Sequence, residues 1–72
     1  MKLIELKENE RCRVTQISTN QNDVIRLYKL GIVVGVEITL LLKLAGGGVV
    51  IDVLGSEIAI GRQVANKIGV EK

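Results

Sequence analysis

Hydrophobic and polar positions divide this chain into short segments with different periods. From Val36 the pattern alternates, with Val36, Ile38, Leu40, Leu42 and Leu44 set against Glu37, Thr39, Leu41 and Lys43. A period of two marks a strand with one buried face, and it assigns Leu41 to the outer side, an apolar residue among polar neighbours. Residues 11–18 alternate less regularly. Cys12, Val14 and Gln16 fall on one side and Arg13, Thr15 and Ile17 on the other, and their Val, Thr and Ile content favours a first strand. Val49–Val53 reads as a further strand with Asp52 outward, residues 57–60 as the next, and Gly69-Val70 as a short last one. Gly46-Gly47-Gly48 has loop composition, and Leu54-Gly55-Ser56-Glu57 has the turn chemistry of a hairpin.

Between the first two strands the period changes. Val24, Leu27 and Tyr28 recur at helical spacing, with Arg26 and Lys29 left to face solvent. The polar run Thr19-Asn20-Gln21-Asn22-Asp23 precedes them. Asn20 or Asn22 can cap the first turn, and Asp23 complements the positive end of the helix. Gly31 follows Leu30 where a left-handed C-cap is expected, and Gly35 marks a turn or bulge into the long strand. At the start of the chain, Leu3 and Leu6 of a lead-in segment plug one end of the core. Residues 61–67 read as one or two helical turns, with Val64 and Ile68 four apart. Five short strands, tight connections and one helix predict a mainly β fold, a small barrel whose closure disposes of exposed strand edges.

Composition narrows the functional classes. The 72 residues fit one domain, and 47% are hydrophobic, but there is no Phe or Trp and only one Tyr, so Ile, Leu and Val must build the core. The single cysteine, Cys12, excludes an internal disulfide and fits a reducing, cytoplasmic compartment. A net charge of +2 from interspersed signs gives no convergent cationic surface for nucleic acid. Uninterrupted apolar runs such as Leu40-Leu41-Leu42 are far short of the roughly 20 residues of a membrane span, and no signal-peptide pattern opens the sequence.

The chain contains no histidine, its carboxylates are scattered, and Cys12 lacks a base to activate it. An enzyme, a metal site and a bound cofactor are therefore not expected. The triple glycine lacks the Lys-Ser/Thr that follows in a phosphate-binding loop. The remaining functional candidates are apolar or aromatic residues without a place in the core, chiefly Tyr28 and Leu41.

Taken together, these segments resemble the FeoA domain. The resemblance rests on Leu3 and Leu6, Val14 to Ile17, and then Arg26-Leu27, Leu30-Gly31-Ile32, Gly35 and Ile38. It continues through Gly47, Val49-Val50-Ile51-Asp52-Val53, Gly55, Ile58-Ala59-Ile60-Gly61, Ala65, Ile68 and Val70. The chain departs from the family in having Val34 where proline is usual, Gly47-Gly48 where Gly-Pro is frequent, and Glu8-Asn9-Glu10 where a glycine is common.

The resemblance implies an SH3-like five-stranded barrel with one helix inserted after the first strand and a short helical turn near the C-terminus. It also implies an accessory protein of bacterial ferrous iron transport that docks on the cytosolic GTP-binding part of the FeoB membrane transporter, with iron as the cargo of the system. Arg26, Leu27, Tyr28, Leu30 and Leu41 are the residues then assigned to partner binding. Gly31, Gly35, Gly47, Gly55 and Gly61 are assigned to structure. The alternative is a regulatory SH3-like module that contacts an iron-dependent transcriptional repressor or another protein partner.

Overall fold

A computed structural model describes residues 1–72. After a 3-10 turn at Leu3–Glu5 come strand β1 (Arg11–Ile17), helix α1 (Gln21–Lys29) and strands β2 (Glu37–Lys43), β3 (Val49–Val53) and β4 (Ser56–Ile60). A single helical turn, α2 (Arg62–Ala65), leads into β5 (Ile68–Glu71). The strands form one antiparallel sheet in the order β4-β3-β2-β1-β5. Strand β1 pairs with β2 through Arg11–Arg13 and with β5 through Arg13–Ile17. Handing over partners along one strand curls the sheet around the core, as an SH3-like barrel requires.

The barrel seam lies between β4 and β5, which share no ladder. The outer edge of β5 is covered by the start of the chain: Lys2 bridges Gly69, and the Val70 N–H donates to the Met1 carbonyl at 2.8 Å. Leu3 and Leu6, both fully buried, fill the end of the core beside this seam. The core holds only apolar side chains, among them Val14, Ile38, Leu40, Ile51, Ile68 and Val70.

Two bulges correct the simple alternation. In β1 the register shifts between Val14 and Gln16, so Gln16 is exposed and Ile17 packs against the core, the reverse of the expected sides. In β2 it shifts between Leu40 and Leu42, which pair with Ile51 and Val50. Leu41 is the extra residue and is half-buried, whereas Leu42, expected inside, is 47% exposed, and Leu44 is exposed as well. Neighbouring segments hold this bulge in place. The Asn9 N–H donates to the Leu40 carbonyl (2.6 Å), the Leu40 N–H to the Glu10 carbonyl (2.9 Å), and the Lys43 N–H to the Glu8 carboxylate (3.0 Å). Bulges reverse the facing of every later side chain on the strand, which is why a strict period-two reading failed beyond Leu40.

Candidate functional site

The candidate surface lies at the exit of α1, where Tyr28, Leu30, Val33 and Val34 are exposed. Asn20 sets where this helix starts: its side-chain oxygen accepts the Asp23 N–H at 2.9 Å. Asp23 in turn accepts from the Asn20 amide at 3.0 Å and the Thr19 hydroxyl at 3.1 Å. The first of these bonds satisfies a backbone donor that the first helical turn cannot satisfy itself, and the other two hold the Asp23 carboxylate over the cap.

At the other end the Gly31 N–H donates to the Tyr28 carbonyl (3.0 Å) and the Ile32 N–H to the Leu27 carbonyl (2.9 Å). This is a Schellman motif, with Gly31 in the left-handed region at φ +87°. The motif directs Leu27 and Ile32 into the core together. The chain then turns again. The Val36 N–H donates to the Val33 carbonyl at 3.1 Å with Gly35 at φ +98°, and the Gly35 N–H donates to the Val14 carbonyl at 2.7 Å. Two successive turns stitched to β1 thus fix the helix exit.

The geometry divides the residues assigned to partner binding. Leu27 is 4% exposed and belongs to the core. Tyr28 is 68% exposed, and Leu30, Val33 and Val34 are exposed beside it. Arg26 makes one 3.7 Å ion pair with Asp23 and keeps most of its side chain in solvent, so the pair contributes little. A shallow groove runs beside the helix, with Leu27 and Leu30 on one wall, Ile60 and Val64 on the other and Arg26 in its lining. Leu41 is not part of that groove; it sits on the β2 bulge.

Of the glycines, Gly31, Gly35, Gly47 and Gly55 have positive φ, and a Cβ on Gly47 would collide with the Arg62 side chain. Gly61 has φ −67° and open space where a Cβ would lie, so neither conformation nor packing demands glycine there.

Ionisable chemistry is sparse at this surface. Burial pushes the Cys12 thiol up to about 11, with the Glu10 carboxylate adding to the effect, so the thiol is protonated and inert at neutral pH. Glu10 itself is held below the usual carboxylate range, first by the Lys7 N–H at 2.6 Å and then by the Lys72 ammonium at 2.8 Å. Nowhere do three or more Cys, Asp or Glu side chains converge as metal ligands would. No helix is long and apolar enough to cross a membrane.

Sequence reasoning missed Leu54. It occupies the first central position of the two-residue β3–β4 turn at φ +54° and is 85% exposed. The available signal was a Leu-Gly pair where a turn of this type favours Asn-Gly.

No curated relative matches the chain. Among solved structures, an iron uptake regulatory protein (FeoA) superposes with a TM-score of 0.89 at 27% identity, covering 99% of this chain and 95% of the other. FeoA from Chlorobium tepidum gives 0.91 at 30% identity over 99% and 69%. ScaR with bound Zn2+ gives 0.88 at 27% identity, but this chain spans only 36% of its length. The family profile of the FeoA domain matches residues 1–72, and with an SH3-like barrel shared throughout, this chain belongs to the FeoA-domain family.

Proposed function

We propose that this protein is a cytoplasmic accessory module that docks on the cytosolic GTP-binding part of a FeoB-type ferrous iron transporter and regulates it. A role in ferrous iron transport follows from membership of the FeoA family, a small accessory domain. The observation that carries the docking reading is the apolar surface at the α1 exit, where Tyr28, Leu30, Val33 and Val34 are exposed on a rigidly hydrogen-bonded frame. Exposed aromatic and aliphatic groups held in fixed positions bind proteins at low ordering cost. Arg26, Tyr28 and Leu30 are the contact residues in this reading, and Leu27 acts through the core by setting the helix position.

The test is a titration of isotope-labelled protein with the transporter's cytosolic domain. Amide shifts concentrated at residues 26–34 are expected; saturating domain without shifts would remove the proposal. Likeness to part of ScaR favours a second reading, in which the same barrel contacts a metal-dependent repressor. Retention of such a repressor, and not of the transporter, on immobilised protein would select it.

A further inference from the structure

The β3–β4 hairpin brings together three features that cost stability. Leu54 stands at φ +54°, a conformation that favours Asn or Gly and is strained for a bulky side chain. Its side chain is also 85% exposed, the largest exposure among the chain's large hydrophobic residues. Behind the tip, Asp52 pairs directly with Glu57 across the ladder. A two-residue turn closes on the hydrogen-bonded pair Val53 and Ser56, so Asp52 and Glu57 form the next, closer pair, about 4.5 Å between Cα atoms. Like charges facing each other there are destabilising. The two ion pairs in the chain, Arg26–Asp23 and Lys72–Glu10, involve neither carboxylate.

The base of the hairpin lies near the helix exit: a Cβ at Gly31 would sit 3.8 Å from Cγ1 of Val53, the residue before Leu54. Strain and exposure at Leu54, and an acidic pair that makes no ion pair although Arg11 lines the same surface hollow as Asp52, are relieved by the same event, contact with a complementary surface.

We propose that the β3–β4 hairpin is the principal contact of this protein with its partner. Leu54 enters an apolar pocket on a protein surface whose rim of Lys or Arg side chains takes up Asp52 and Glu57. The proposal rests on the docking reading above and places the main anchor on the hairpin. Two negative charges directly behind an apolar tip make the complementary occupant a basic-rimmed pocket; a pocket with acidic rim would be repelled.

The test compares the wild-type protein with Leu54→Asn, and with a double variant Asp52→Asn, Glu57→Gln, by anisotropy titration against the full-length transporter in nanodiscs at low and high salt. Thermal unfolding of each variant is measured in parallel. Leu54→Asn is expected to weaken binding by at least about tenfold while raising the thermal midpoint by a few degrees, because asparagine suits the turn. The double variant is expected to weaken binding severalfold and to flatten its salt dependence. A purely structural Leu54 would instead lower midpoint and affinity together, which overturns the proposal. Unchanged affinity of Leu54→Asn beside a binding wild type overturns the hairpin assignment and leaves the docking reading standing. A wild type that does not bind removes both. Concentration-dependent self-association that Leu54→Asn abolishes also overturns the proposal, because the occupant is then a second copy of this chain.

Discussion

Replacing Gly31 tests whether the helix exit is held by backbone conformation or by packing. With φ at +87°, an L-residue there pays the left-handed penalty of roughly 1–2 kcal/mol. Sterics add nothing, because the nearest atom to a new Cβ is Val53 Cγ1 at 3.8 Å, an ordinary van der Waals contact. Alanine also restricts the unfolded chain, which returns about 0.4–1 kcal/mol. Gly31→Ala should therefore destabilise by about 1 kcal/mol. A chain of 72 residues has roughly 4–11 kcal/mol in hand at 0.05–0.15 kcal/mol per residue, so the variant stays folded and measurable. The expected loss in thermal midpoint is about 4–8 °C. Urea unfolding with an unchanged m-value gives the free energy. The control is Gly31→Asn, which tolerates the left-handed region and should cost less than alanine. If asparagine, the larger residue, costs as much as alanine or more, space beside Val53 is limiting and the conformational argument is refuted.

Two further outcomes follow from the same reasoning. Val34 is the second residue of the turn closed by Val33 and Val36, is 61% exposed, and donates its N–H to no backbone acceptor. Proline is favoured at that position, so Val34→Pro should stabilise by about 0.4–1 kcal/mol in urea unfolding; a destabilised variant would contradict the turn assignment. The Cys12 thiol, pushed from 9.0 up to about 11, binds its proton more tightly when folded than unfolded. Its contribution to stability is therefore complete below about pH 9 and lost as pH rises towards 11. Cys12→Ala should show a shallower alkaline decline than wild type across that window, and the native thiol should resist labelling at pH 8 until the protein unfolds.

Local chemistry was legible where the determining contacts lie close in sequence. The residues that cap α1, the left-handed exit at Gly31, the turn at Gly35 and the order of elements all depend on side chains or backbone angles within a few positions of one another. Hydrophobic content at residues 36–40 likewise fixed which face of β2 is inside up to Leu40. The absence of histidine, too, is a property of composition alone.

What only the tertiary structure decided depends on partners distant along the chain. The bulge at Leu41 exists because Asn9, Glu10 and Glu8 bond to Leu40 and Lys43, and because β3 pairs with β2 in a shifted register. No window around Leu41 contains those partners, so the sides assigned to Leu41 and Leu42 could not be read locally. The same holds for Leu27 and Tyr28, neighbours on one helix. The curl of the sheet buries the first and leaves the second in solvent. The approach of Gly31 to Val53 likewise sets the helix exit against β3, segments that the sequence keeps far apart.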